Sequence, residues 1–312
     1  MSGMDGLFSY QTLVHAVAGA AGSVVAMTTF FPLDTVRSRL QLEENREAKN
    51  TLTMLVELTK EEGFTTLYRG MVPVLESLCA SNFVYFYTFH GLKALRATSA
   101  EQSAGKDLLL ASVAGVVNVL LTTPLWVVNT RLKMKGLNSG SGSIQHAGDQ
   151  YSGLFDGLVK MARQEGVGSL WNGTIPSLML VSNPAIQFMT YEAIKRRLHA
   201  AYGEQNMSGL VYFFVGAVAK AVATVATYPL QLVQTKLRHG HNYEDLPPDA
   251  GTMKITHYIL KKYGLLGLYK GMEAKLLQTI LTAALMFAAY EKIANFVFKL
   301  LLHHQEVSSK LK

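Results

Sequence analysis

Three short phrases place a proline two residues before one side chain and five before another. They are Pro32/Asp34/Arg37 in "FPLDTVRSRLQ", Pro124/Trp126/Asn129 in "TPLWVVNTRLK" and Pro229/Gln231/Gln234 in "YPLQLVQTKLR". In the first, an acid and a base three residues apart meet on one helix turn. Such a pair forms and breaks reversibly. The other two phrases keep the proline and an outer base, Arg131 and Lys236, but lose the inner charges. Charge-assisted hydrogen bonds are about twice as strong as neutral ones, so the second and third phrases are expected to make weaker contacts than the first.

Two lysines offer a second chemistry. Lys220 interrupts the apolar run "VGAVAKAVATVATYP", and Lys275 begins "KLLQTILTAALMF". A cation in an apolar run is costly to leave against lipid. A water-filled cavity and an anionic phosphate account for Lys220. Glu76 and Glu273 are candidate counter-ions for these bases.

Catalytic signatures are absent. The chain has no HExxH, no Walker A, no G-x-S-x-G and no clustered Cys/His metal set. "GLNSGSGSIQHAGDQ" lacks a GK[ST] ending and reads as a flexible loop. The single Cys79 cannot form an internal disulfide. The expectation is therefore a non-enzyme without a bound cofactor.

These residues must be positioned by membrane helices. The 312 residues are 49% hydrophobic and 16% charged, with mean hydropathy +0.18. Soluble domains carry about 25% charged residues. The apolar stretches contain Gly, Ser, Thr and Asn, which suits a bundle with a polar interior. The net charge of +7 fits basic loops at helix ends and equally an anionic substrate. The N-terminus has neither a signal-peptide pattern nor an Arg-rich presequence, so a targeting signal is expected to be internal.

Two further phrases recur with the prolines. "EEGFTTLYRG", "QEGVGSLWNG" and "YGLLGLYKG" carry the pairs Gly63/Gly70, Gly166/Gly173 and Gly264/Gly271. "FHGLK", "YEAIK" and "YEKIA" close the units. The chain thus divides into repeats at 1–100, 101–203 and 204–312. Each has a long apolar helix ending in the proline phrase, a loop with a short amphipathic helix, and a second apolar helix. Six helices are expected near 13–38, 72–94, 108–132, 175–197, 209–237 and 274–301, each long enough to cross a bilayer. Gly19, Gly22 and Ala26, with their counterparts Ala111, Ala114 and Asn118, and Gly216, Ala219 and Ala223, form a close-packing face.

The threefold unit, with P-x-[acid]-x-x-[base]-x-[base] ending its first helix, resembles the mitochondrial carrier family over nearly the whole chain. "NFVYFYTF", "NPAIQFMTYE" and "EAKLLQTILTAALMF" are most similar to its peroxisomal branch in animals. The resemblance implies an all-α membrane protein with six transmembrane helices in three pseudo-symmetric repeats. It implies exchange of CoA, FAD, NAD and FMN for adenine nucleotides such as AMP across the peroxisomal membrane. These are substrates and not cofactors. A mitochondrial nucleotide carrier and a non-transporting membrane scaffold are the alternatives. The expected partners are the bilayer, anionic nucleotide-type substrates and a peroxisomal membrane-protein import receptor, with no nucleic acid and a monomeric chain. Lys195-Arg196-Arg197 and "HHQEVSSKLK" are candidate receptor contacts or simply a solvated basic edge.

The resemblance also assigns two gates. One is the ring Asp34, Arg37, Trp126, Asn129, Gln231 and Gln234. Asp34 is expected to accept from Asn129, Arg37 to donate to Gln231, and Trp126 to face Gln234. The other joins His90, Lys93, Glu192, Lys195 and Glu291 on the even helices, with pairing between adjacent helices, and is expected to be the stronger. The substrate is expected between them, on Ser77, Ser81 and Tyr85 of helix two, Asn183 and Gln187 of helix four, Lys220 of helix five, and Lys275, Gln278 and Thr282 of helix six. Tyr85 is the best candidate for stacking on adenine. The span from Gly173 to Glu192 is one residue shorter than its equivalents, which leaves the register of helix four open.

Overall fold

The structure is a computed structural model. It describes residues 24–43, 50–95, 104–134, 151–203, 208–240, 243, 246–247 and 250–285. Within them there is helix and no strand. The first repeat contributes α1 (Phe31–Leu42), α2 (Thr51–Glu62) and α3 (Met71–Leu95). The second contributes α4 (Ala104–Lys133), α5 (Leu154–Gln164), α6 (Thr174–Met179) and α7 (Asn183–Tyr202). The third contributes α8 (Gly209–His239), α9 (Thr252–Gly267) and α10 (272–285). Residues 24–29 are helical and run into α1. Expected helical residues 13–23 and 286–301, with Gly19 and Gly22, lie outside the described residues.

Among the described residues, two helices, Asp107–Lys133 and Gly209–His239, are long and apolar enough to cross a membrane. Their apolar side chains face outward in quantity: Leu109, Leu121 and Phe214 are each more than 60% exposed. α3, with 25 residues, spans roughly 37 Å at 1.5 Å per residue.

The three prolines act differently. Pro124 and Pro229 lie inside continuous helices, whereas Pro32 begins α1 after a turn at Phe30. A proline leaves the carbonyl four residues earlier without its helical donor. For Pro124 that carbonyl is Leu120, and the indole Nε1–H of Trp171 donates to it at 2.9 Å. The Trp of "SLWNG" therefore repairs the kink of its own repeat.

The buried core lies at the proline end, in three equivalent clusters. Val36 and Leu40 pack with Met54, Leu58 and Leu67. Val128 and Leu132 pack with Leu154, Met161 and Leu170. Val233 packs with Ile255, Ile259 and Leu268. In each, the helix turn after the proline lies on the apolar face of the short helix that follows.

The even helix of the second repeat is interrupted. A 3₁₀ turn at Leu180–Ser182 separates α6 from α7, and Pro184 sits in the first turn of α7. This turn explains the missing residue. Losing one residue removes about 1.5 Å of rise and about 100° of rotation from an α-helix. Three residues of 3₁₀ helix restore about 1.5 Å and about 60°. The tighter winding thus returns α7 close to the phase of its counterparts.

Candidate functional site

The repeats meet in a closed ring at three glycines. Gly70, Gly173 and Gly271 have φ of 78°, 80° and 83°, a region that L side chains rarely adopt. Each begins an even helix and lies against the odd helix of the next repeat. A Cβ on Gly70 would stand 2.8 Å from Lys133 Cγ. On Gly173 it would stand 3.2 Å from Arg238 Cγ, and on Gly271 3.4 Å from the Arg37 carbonyl oxygen.

Close packing there brings the proline phrases together. Arg37 Nη2 donates to Gln231 Oε1 at 3.3 Å, as the sequence predicts. The other two expected contacts are replaced. Asp34 is 7% exposed, and its carboxylate is bound by the Lys133 ammonium, with Arg37 Nη1 at 3.8 Å. Asn129 is 1% exposed, and its Oδ1 has no partner. Gln234 Nε2 donates to Ser177 Oγ at 2.7 Å. Arg238, with its guanidinium carbon 5.9 Å from the Trp126 ring centroid, takes the place beside that indole. The reason is reach. Lys133 and Arg238 lie one turn beyond Asn129 and Gln234, where long cationic side chains cross a seam that short amides do not.

This outer turn has its own cyclic order. The residue nine positions after each proline contacts the preceding repeat in the cycle. Lys133 of the second repeat binds Asp34 and lies 5.3 Å above the Phe31 ring of the first. Arg238 of the third donates to Ser177 Oγ of the second at 3.2 Å. Gln41 of the first donates to the Tyr228 hydroxyl of the third at 2.9 Å. The outer bases take their ionic or ring partners within their own repeats, although Arg131 Nε also donates to the Arg238 carbonyl of the third at 3.4 Å. Arg39 bonds Glu43 and Glu62 at 2.8 and 2.7 Å, and Arg131 forms a two-pronged pair with Glu165. Lys236 lies over the Tyr243 ring. Beside the Arg131–Glu165 pair, burial pushes the Tyr151 hydroxyl above its ordinary pKa.

Lys275 follows Gly271 by one turn and lies within Coulombic range of Arg37, Asp34, Lys220 and Lys133. Among the described residues neither Lys275 nor Lys220 has a carboxylate partner, and Glu76 and Glu273 are exposed. Lys133, Arg37 and Lys275 thus act on the single carboxylate of Asp34, and Lys220 acts on Lys275. The excess positive charge suits a phosphate-bearing anion.

The remaining residues expected to touch substrate fall into two groups. Ser77 is fully buried, with its hydroxyl donated to the Pro73 carbonyl. Gln278 is 5% exposed, with Oε1 unpartnered. Ser81 bonds Asn118 of α4 at 2.9 Å, and Asn183 bonds Thr227 of α8 at 2.7 Å. These two pairs tie α3 to α4 and α7 to α8. Tyr85, Gln187, Lys220, Lys275 and Thr282 are half-buried. The Tyr85 ring stacks on Phe89 with centroids 6.3 Å apart.

At the opposite ends of the even helices, the expected pairing between adjacent helices is absent among the described residues. Lys195 faces Glu192 of its own helix at 4.0 Å. His90 and Lys93 are exposed, with the His90 ring against Phe86 and Phe89. Glu291 lies outside the described residues. The proline end is therefore drawn together, while among the described residues no ion pair joins two even helices at these ends. Sequence reasoning missed Lys133, Arg238, Ser177 and Thr227. The charged residue one turn past each of the second and third phrases was the available signal for the first two.

Comparison with known proteins finds the same threefold division. The family model described as mitochondrial carrier protein matches residues 8–99, 100–202 and 205–300. The chain is 53% identical over 302 residues to mouse peroxisomal membrane protein PMP34, covering 95% of this chain and 96% of that one. It is 33% identical to the peroxisomal nicotinamide adenine dinucleotide carrier of Arabidopsis thaliana, covering 91% and 96%. It is 28% identical to peroxisomal adenine nucleotide carrier 1 of Glycine max, covering 94% and 93%.

Proposed function

The chain belongs to the mitochondrial carrier family, and on that premise we propose that it exchanges adenine-containing nucleotides and cofactors across the peroxisomal membrane. Members of that family are transporters and not enzymes. The substrates on this reading are CoA, FAD, NAD and FMN in exchange for AMP. It rests on the excess of cations at the proline end: Arg37, Lys133 and Lys275 share the one carboxylate of Asp34, and Lys220 adds to the charge at Lys275. The named relatives that handle a nicotinamide or adenine nucleotide in peroxisomes give the organelle and the substrate class.

Six crossings place the proline phrases on one side and the ends of α3 and α7 on the other. Asp34, Arg37, Trp126, Asn129, Gln231 and Gln234 form the first gate, with Lys133 and Arg238 supplying the cations that the second and third phrases lack. His90, Lys93, Glu192, Lys195 and Glu291 form the second. Substrate sits between them on Ser77, Ser81, Tyr85, Asn183, Gln187, Lys220, Lys275, Gln278 and Thr282. Its phosphates compete with Asp34 for the cations and loosen the first gate as the second closes. Each monomer completes this alternating cycle alone and reaches its membrane through a peroxisomal import receptor.

Thermal unfolding of the detergent-purified protein tests the reading. NAD, AMP and CoA are expected to raise the melting temperature, and adenosine to raise it much less. Replacing Lys220 and Lys275 together with Gln should remove most of the shift. No shift with any nucleotide would contradict it.

A further inference from the structure

The hydroxyl of Thr227 holds two side-chain amides from different repeats. Asn183 Nδ2 of α7 donates to Thr227 Oγ1 at 2.7 Å, and Gln231 Nε2 of α8 donates to it at 3.1 Å. The hydroxyl in turn donates to the Ala223 carbonyl at 2.8 Å. A hydroxyl has one hydrogen to give and two lone pairs to receive with, so its capacity is full. Thr227 is 4% exposed, and water does not compete for it. Both amides are thereby fixed in polarity. Gln231 turns its carbonyl to Arg37. Asn183 gives its amide nitrogen to α8, and its carbonyl oxygen has no partner among the described residues and is not fully buried.

We propose that Thr227 is a positioning residue that fixes Asn183 as a hydrogen-bond acceptor for the exocyclic amine of an adenine ring. The inference rests on the nucleotide-transport reading. A carbonyl repels phosphate, which the lysines serve, so Asn183 must meet a neutral donor. A ribose hydroxyl both gives and receives and gains little from a fixed acceptor. An aromatic amine only gives, so it is the group for which fixed polarity creates selectivity. Hypoxanthine carries an oxo group at that position and would face oxygen with oxygen.

Counter-exchange in liposomes with AMP, IMP and 2′-deoxy-AMP tests this. The wild-type carrier should prefer AMP to IMP by about tenfold, the cost of leaving such polar groups unmatched, and accept 2′-deoxy-AMP nearly as well as AMP. Thr227→Val frees the Asn183 amide to rotate, and the ratio should fall toward one. Thr227→Ser should restore it. Should Thr227→Val fail to fold, Asn183→Leu removes the acceptor alone and should abolish the preference likewise. Equal use of AMP and IMP by the wild type, a preference that survives Thr227→Val or Asn183→Leu, or selectivity against the 2′-deoxy compound instead, would overturn the proposal. Wild-type protein that exchanges no nucleotide would instead overturn the transport reading beneath it.

Discussion

Lys133, at the end of the second repeat's first helix, binds the carboxylate of Asp34 in the first repeat. The acid of the one fully charged proline phrase is thus neutralised from another repeat, by a residue outside the phrase. Lys133 also lies under the Gly70 turn and over the Phe31 ring. One side chain therefore joins the seam, the core edge and the charge cluster.

Removing that partner should be costly. Lys133→Met leaves Asp34 buried with only Arg37 at 3.8 Å. Breaking one side of a buried pair costs about 3 kcal/mol, so unfolding in detergent should shift to markedly lower temperature. Asp34→Asn in the same background should recover most of the loss. Strictly additive losses would show that the two residues do not interact.

Trp126 and Arg238 give an opposite test. Trp126→Glu would set a carboxylate beside a guanidinium that already lies there. A new charge-assisted bond of about 1.5 kcal/mol must then break in every cycle, which slows exchange by about tenfold. Asn129→Arg should not stabilise the protein, because Lys133 already occupies Asp34. Unchanged transport by Trp126→Glu would remove this stretch from the gate.

Trp171 should matter only because Pro124 is there. Trp171→Phe deprives the Leu120 carbonyl of its indole donor and is expected to cost about 1–2 kcal/mol in unfolding measurements. In a Pro124→Ala background residue 124 regains an N–H, and the same substitution should cost little. Equal costs in both backgrounds would mean the indole serves packing alone.

Gly70 and Gly63 separate strain from contact. Both have positive φ, but a Cβ meets nothing at Gly63 and meets Lys133 at Gly70. Gly63→Ala should cost about 1–2 kcal/mol of backbone strain. Gly70→Ala should cost more, and the excess should shrink when Lys133 is replaced by Ala. The comparison is made by thermal unfolding in detergent.

Repeated local signals were legible in the sequence. The proline phrase, the paired glycines and the apolar lengths located α3, α4 and α8 within a few residues, because each is set by residues close in the chain. Arg37–Gln231 was legible through the family resemblance, which sets the base position of one phrase against the acid position of another. Contacts made one turn further on were not. Lys133 and Asn129 lie on the same helix, and only the approach of Gly70 to Lys133 decides which of them reaches Asp34. The register of α7 depended on a 3₁₀ turn at Leu180–Ser182 that no residue there announces. Thr227 escaped notice because a threonine in an apolar helix usually bonds its own backbone, and it does that too.

Counter-exchange reports on nucleotide transport itself. Purified protein in liposomes is given labelled NAD outside, with AMP inside one set of vesicles and buffer inside another. Rapid uptake into the AMP-loaded vesicles, much slower uptake into empty ones, and loss of both when Lys220 and Lys275 are replaced by Gln are the predicted result. No uptake into either set, or uptake indifferent to both lysines, would contradict a nucleotide exchanger built around this cation cluster.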